Sequence, residues 1–297
     1  MAPADGSAGH RRTVAHPLRR LRAVTYPVPT SLSPSRVESF TSCPLAFRFA
    51  SIERIPEPPA VHSTKGSFVH RVLELLFTAP PAARTSETVE QSFARARTEY
   101  EAHPDFTLLG LEPAAGEAFF SDSRSLVDNY LRMENPQEVR DIGLELRLEA
   151  SIGELTVRGI IDRLEIDHRD ELVITDYKTG RPPGRQFEQS KMGAVHLYAY
   201  MCESVFGRRP AAVRLMYLRT GEVITATPSA ESNRFVTTRA TAVWNAVARA
   251  CTTGDFRPRP GPLCGSCSFQ RWCPEFGGDP ARAAVEAPVA FGLGAAR

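Results

Sequence analysis

Residues 159–180, GIIDRLEIDHRDELVITDYKTG, restrict the fold more than any other stretch of this 297-residue chain. Two runs rich in β-branched residues flank a polar turn at His168-Arg169-Asp170, the pattern of a β-hairpin. If the hairpin is symmetric about Arg169, Asp162 on the first arm lies opposite Asp176 on the second, with Cβ atoms about 4.5–5.5 Å apart. Alternation of period two then groups Ile160, Asp162, Leu164 and Ile166 with Leu172, Ile174, Asp176 and Lys178 on one face. Arg163, Glu165, Val173, Thr175 and Tyr177 occupy the other. Two acids and a lysine thus share one end of a half-buried, largely apolar face. Opposed carboxylates there repel each other and lose hydration. A shared proton relieves this, and so does a divalent cation; oxygen ligands suit Mg²⁺ or Mn²⁺. A plain Asp–Lys salt bridge is the rival reading, but one lysine cannot neutralise two acids. Of 36 basic residues only Lys65, Lys178 and Lys191 are lysines, so an ammonium here is informative.

The surrounding sequence alternates between helical and strand patterns. Ser33-Pro34 reads as the N-cap and first residue of a helix that passes Val37 and Phe40 and stops near Cys43-Pro44. Residues 64–78 form an amphipathic helix with Val69, Val72, Leu73 and Leu76 on its apolar face; 87–102 and 113–134 are helical too. Strands follow at 142–150, 154–166 and 171–178, then a helix at 186–206, strands at 212–219 and 222–227, and a helix at 229–252. This order predicts an α/β domain with a mixed central sheet flanked by helices. Residues 1–30 carry Asp5 against Arg11, Arg12, Arg19, Arg20 and Arg22, and predict a disordered basic arm. The core domain then spans 31–277, and the Ala/Gly/Pro-rich residues 278–297 predict a flexible C-terminal tail. The composition, 42% hydrophobic and 24% charged, is that of a globular chain able to bury a core without disulfides. No apolar run approaches the roughly 18 residues of a membrane span, and no secretory signal is visible.

Four ordered blocks resemble the PD-(D/E)XK nuclease superfamily, specifically its RecB-type branch. They are LSPSRVESFTSCPLAFRF (32–49), GSFVHRVLELL (66–76), the hairpin, and CGSCSFQRWCPEF (264–276). That branch includes RecB-family exonucleases, nuclease domains of bacterial recombination helicases and CRISPR-adaptation nucleases. The resemblance covers roughly residues 31–277 and implies a restriction-endonuclease-like core. It implies metal-dependent hydrolysis of DNA by an exonuclease in repair or recombination. It also implies His70, Asp162, Asp176 and the backbone carbonyl of Tyr177 as ligands of Mg²⁺ or Mn²⁺, with Lys178 as the catalytic lysine. Glu74, one helical turn beyond His70, reads equally as support for the metal site or as solvated. Members of the branch usually carry Gln-x-x-x-Tyr on the helix after the sheet. Here SKMGAVHLYAYM (190–201) offers Tyr198 for positioning DNA, with Ala194 in the Gln place; a shifted register would give His196 and Tyr200.

Cys264, Cys267 and Cys273 form C-x₂-C-x₅-C after a Pro/Gly-rich bend at 258–262. With one more thiolate they could hold zinc or a [4Fe–4S] cluster. Cys43 is the fourth residue, as the resemblance implies, since iron–sulfur members place one cysteine before the core and three after it. Such a cluster would join the N- and C-terminal segments and implies a reducing cytoplasm. Cys202 and Cys251 sit in apolar helical contexts and read as core, and Phe269 and Trp272 as shields of the cluster. No Walker A motif is present, so a helicase would be a separate partner. The expected partner is DNA, as single strands or duplex ends, and no membrane. The formal net charge is +2, and the arm accounts for more than all of it, so phosphate binding needs a local arginine patch. Two other classes fit less of the pattern: a non-catalytic nuclease-like DNA-binding subunit of a larger assembly, and a zinc-holding interaction module.

Overall fold

The structure, a computed structural model, describes residues 25–182 and 184–293. In chain order the elements are β1 (Ser31–Leu32), α1 (Pro34–Ser42), α2 (Pro44–Phe47), α3 (Val61–Phe77), α4 (Ser86–Glu101), α5 (Pro104–Thr107), α6 (Pro113–Met133), β2 (Asp141–Ile152), β3 (Leu155–Ile166), β4 (Leu172–Lys178), α7 (Arg185–Phe206), β5 (Ala212–Tyr217), β6 (Glu222–Ala226), α8 (Ala230–Thr253) and α9 (Ala283–Ala290). Ser33 caps α1, its Oγ accepting the Arg36 N–H at 3.2 Å, with Pro34 at the first helical position.

The hairpin has the expected register. Arg163 pairs with Thr175, Leu164 with Ile174, Glu165 with Val173 and Ile166 with Leu172. Asp167 holds the turn, its Oδ1 accepting the N–H groups of Arg169 and Glu171 at 2.8 and 2.9 Å. The ladder stops at Arg163–Thr175, one step short of the two acids.

β3 is the longest-range organiser of the sheet. One edge pairs antiparallel with β2. The other edge is shared: β1 pairs parallel at Thr156–Val157, and β4 takes 163–166. Among the described residues no strand pairs with 158–162 on that edge. β4 continues in parallel to β5 through the α7 crossover, and β6 closes the sheet antiparallel, which gives the mixed central sheet that the pattern predicts.

Helices cover both faces. On one, α3, α4 and α6 pack Phe68, Val72, Leu76, Phe119 and Tyr130 against Tyr177, Met216 and Leu218. On the other, residues from the remaining long helices surround Leu164, Ile174, Val213 and Leu215. The expectation of a half-buried face is therefore corrected: β4 is buried on both sides, with Ile174 and Thr175 wholly inaccessible. A strand sandwiched between helix layers reads as a continuous apolar run, and LVIT is one.

The C-terminal segment also differs from expectation. Residues 278–293 include α9, whose Ala283 and Ala287 are fully buried. Trp272 Nε1 donates to Glu286 at 2.9 Å, and its ring meets Phe291 edge-on. Small side chains let this helix approach closely, so its poverty in large apolar groups reflects tight packing. Residues 1–24 of the expected arm and 294–297 of the tail lie outside the described residues. Tyr26 already belongs to the body of the domain, its N–H donating to the Cys251 carbonyl at 2.8 Å. No helix among the described residues is long and apolar enough to cross a membrane.

Candidate active site

Three elements deliver the chemistry to one place. α3 carries His70, β3 carries Asp162, and β4 carries Asp176, Tyr177 and Lys178 in succession. His70 Nε2 lies 3.0 Å from the Tyr177 carbonyl oxygen, and its Nδ1 3.5 Å from Asp162 Oδ1. The other Asp162 oxygen accepts the Tyr177 N–H at 2.7 Å. The backbone of Tyr177 is thus held at its carbonyl by α3 and at its N–H by β3. Asp176 is buried and ion-paired with Lys178 Nζ; its Oδ2 has no hydrogen bond besides that ammonium.

Electrostatics separates the two acids. Burial raises Asp176 above the ordinary carboxylate range, Lys178 opposing and Asp162 adding to the rise. Burial acts in the same way on Asp162, but His70, Lys178 and the Tyr177 N–H together hold it below its ordinary value. Burial would lower the His70 imidazole, and the Asp162 carboxylate outweighs this and raises it. Lys178 follows the same logic, with Asp176 overcoming burial to keep the ammonium charged.

One residue of this group escapes period-two reading. Glu145 on β2 has φ +43°, a left-handed conformation that costs a non-glycine residue on the order of 1–3 kcal/mol. It falls between the pairs Leu144–Arg163 and Leu146–Ile161, hence opposite Asp162. The sheet changes face there: Leu144 packs with the α3 layer, whereas Leu146 packs with the other core. The distortion brings ligand atoms of His70, Glu145 and Asp162 within 4.8 Å of one another. Asp176 stands outside that trio. The only sequence signal for Glu145 is a β2–β3 turn at Gly153-Glu154, whose symmetry sets it opposite Asp162. Burial, and then the Asp162 charge, push the Glu145 carboxyl up to about 7.

This shift predicts a pH dependence. In the metal-free protein the folded state retains a Glu145 proton that the unfolded chain has already lost. Stability from this group is therefore full at low pH and lost as pH rises towards about 7. Glu145→Gln should flatten that slope and melt higher than wild type above neutral pH. Parallel melting curves for the two proteins would refute the assignment.

The donor set of imidazole, carboxylates and a peptide carbonyl suits a hard divalent cation such as Mg²⁺ or Mn²⁺. A buried carboxylate oxygen with only an ammonium beside it leaves a lone pair for such an ion. The residues present fit a divalent metal.

Beneath the site lies a buried ionic network that the sequence does not announce. Arg163 is wholly inaccessible; it donates to Glu134 at 2.6 Å, to Glu165 at 2.6 Å and to the Tyr177 hydroxyl at 2.7 Å. Arg214 reaches Glu165 at 3.2 Å and Glu134 at 3.4 Å. Two cations and two anions balance around the side chain of Tyr177.

Comparison with known proteins agrees with this geometry. The model of the PD-(D/E)XK nuclease superfamily matches residues 31–274. The chain belongs to that superfamily. It is 24% identical over 294 residues to the Gene 69 protein of Mycobacterium phage L5, covering 82% of this chain and 96% of the phage protein. The Gene 69 protein of Mycobacterium phage D29 is also 24% identical, over 275 residues with the same shares. Among solved structures, a candidate exonuclease from Eubacterium rectale superposes with a TM-score of 0.50 at 11% identity, over 82% of this chain and 88% of that one. A nuclease of this superfamily uses divalent metal and takes DNA as substrate.

The remaining predicted residues are placed as follows. Tyr198 lines the cavity that holds Asp176 and Lys178, whereas Tyr200 points away and donates to the Ser151 carbonyl at 2.6 Å. The side chain of Ala194 lies outside the described residues. Glu74 pairs with Arg71 at 2.7 Å. Cys202 and Cys251 are fully buried in the core, as are most of Phe269 and Trp272. Cys43, Cys264 and Cys267 line one open cavity of about 670 Å³. The four expected cysteine ligands do not form a tight cluster: among the described residues, only the trio of His70, Glu145 and Asp162 brings three ligand atoms within 4.8 Å.

Proposed function

We propose that this nuclease is a metal-dependent exonuclease acting on DNA strands or ends in repair or recombination. What carries the reading is the convergence of His70, Asp162, Asp176 and Lys178 on the Tyr177 peptide. His70, Asp162, Asp176 and the Tyr177 carbonyl would hold the metal, with Glu145 in reach. A bound divalent cation there supplies charge neutralisation at the scissile phosphate and acidity to water. Lys178 stays protonated because Asp176 holds its charge, so it serves as a hydrogen-bond donor and cation rather than a base. It lines a cavity of about 350 Å³ with Arg181 and Tyr198, where it can orient water or a phosphate oxygen. Asp162 spends one oxygen on the Tyr177 N–H, which fixes β3 against β4 where their ladder has ended.

End-labelled single- and double-stranded DNA, digested with Mg²⁺ or Mn²⁺, tests the reading. Stepwise shortening from one end supports exonuclease action, internal products overturn it, and no cleavage of any strand overturns nuclease activity. Lys178→Arg keeps the charge but exchanges a compact ammonium for a planar fork. It is expected to lose activity about tenfold or more; rates near wild type would reduce Lys178 to a salt-bridge partner.

We also propose that Cys43, Cys264, Cys267 and Cys273 bind a [4Fe–4S] cluster. Cys43, Cys264 and Cys267 line one cavity, and burial raises the Cys267 thiol, the Phe269 N–H opposing and the other three cysteines adding to the rise. Anaerobically purified protein should be brown, with about four irons per chain. Cys43→Ser should bleach it and loosen the segment from 264 onward. Full iron retention by that variant would remove Cys43 from the ligand set.

A further inference from the structure

Lys65 is, like Lys178, one of three lysines among 36 basic residues, and the active centre does not use it. It sits on α3 with its ammonium over the Phe119 ring of α6, 5.7 Å from the centroid, and donates to Asp122 at 2.9 Å. The lysine side chain is 11% exposed and that of Asp122 66%. A buried cation is thus spent on a carboxylate that water would solvate without it, and a pair with so open a member adds little to stability.

Asp122 also feels a second cation. Arg219 lies in the turn after β5 and is exposed. That turn closes without its side chain: the Thr220 and Gly221 N–H groups donate to the Tyr217 carbonyl at 3.1 and 2.9 Å, and Asn129 holds the Leu218 carbonyl at 2.9 Å. Arg219 instead sends Nε to the Thr179 carbonyl at 3.3 Å. Thr179 directly follows Lys178, whose own carbonyl accepts the Leu218 N–H at 2.8 Å. Gly66, one helical turn before His70, faces Thr179 so closely that a Cβ there would fall 3.2 Å from its Oγ1. The guanidinium is therefore anchored beside α3 at the end of β4 that carries Lys178. Among the described residues its Nη groups have no hydrogen bond or ion pair.

An arginine oriented through Nε, with its outer edge open, presents the planar fork that phosphate oxygens match. Asp122 is the nearby anion that competes for that edge. The Lys65 hydrogen bond and charge, and after them the charge of Arg219, hold its carboxyl below the ordinary value. Yet among the described residues its only ion pair is with Lys65. Building on the nuclease reading above, we propose that Arg219 binds a backbone phosphate of the DNA flanking the scissile one. Lys65 is then a positioning residue that keeps the fork open by holding Asp122 away from it.

Anisotropy of labelled oligothymidylate, with chelator present so that no strand is cut, tests both halves on the full chain. Arg219→Gln should weaken binding about fivefold at low salt and reduce the slope of log affinity against log salt by about 0.7, with an unchanged melting curve. Lys65→Met should weaken binding about as much, because Asp122 then closes on Arg219, and adding Asp122→Asn should restore it. In the Arg219→Gln background Lys65→Met should weaken binding no further, whereas a general loss of positive charge would add. Asp122→Asn alone, at an exposed side chain, should bind at least as tightly as wild type. Unaltered affinity and slope in Arg219→Gln overturn the phosphate site. So does slower cleavage at saturating DNA with affinity unaltered, which would make Arg219 a brace of the Thr179 backbone. Additive losses in the Lys65→Met, Arg219→Gln pair, or weaker binding by Asp122→Asn, overturn the role of Lys65. A wild-type protein that neither binds nor cuts DNA overturns the nuclease reading instead.

Discussion

Asp176→Asn is expected to lower phosphodiester cleavage about a thousandfold or more, equivalent to about 4 kcal/mol of barrier, while the protein stays folded. Asparagine keeps the shape and one oxygen but loses the charge that a divalent cation requires. Asp176 is the most buried acid of the site, raised by burial and by Asp162, so its ionised form is a cost to the metal-free fold. Neutralising it removes that cost, although Lys178 loses its partner. The two effects oppose each other, and the melting temperature should shift only slightly. A second readout separates binding from chemistry: Mn²⁺ should raise the melting temperature of the wild type and not that of the variant. Undiminished cleavage by Asp176→Asn would remove the residue from the active centre.

The register of the hairpin was legible because its turn residues and β-branched arms admit one symmetric pairing, and the observed pairs follow it. The helices were legible from their apolar spacing. Three features were not. The kink at Glu145 depends on two neighbouring strands changing face at the same step, which no one-dimensional alternation encodes. α9 buries alanines, and composition cannot tell a close-packed small side chain from a solvated one. Arg163, Glu165, Thr175 and Tyr177 were assigned a common face correctly in register, but their surroundings depend on α6 and the residue after it, 29 or more positions upstream. A face that reads as polar in sequence proves to be the most buried polar cluster of the domain.

That cluster sets the second large effect. Arg163→Met should destabilise the protein by about 3–5 kcal/mol, because it leaves Glu134 and Glu165 buried without their main counter-charge. Both lie at or below a tenth exposed at the side chain, and Arg214 alone is at longer range from each. Globular domains have about 5–15 kcal/mol in total, so the variant should unfold at a much lower urea concentration. The consequence reaches the active centre through one residue. Arg163 holds the Tyr177 hydroxyl, while the same residue's backbone N–H and carbonyl meet Asp162 and His70. Loosening the ring should therefore loosen the peptide, and cleavage should fall even at temperatures where the variant remains folded. Adding Glu134→Gln and Glu165→Gln to Arg163→Met removes the stranded charges and should recover much of the stability, since neutral replacement of a whole buried ionic group is often tolerated. It should not recover cleavage, because the Tyr177 hydroxyl still lacks its donor. A single Arg163→Met variant within about 1 kcal/mol of wild type would mean that water or Arg214 already neutralises the two acids, and that Tyr177 is held by packing alone.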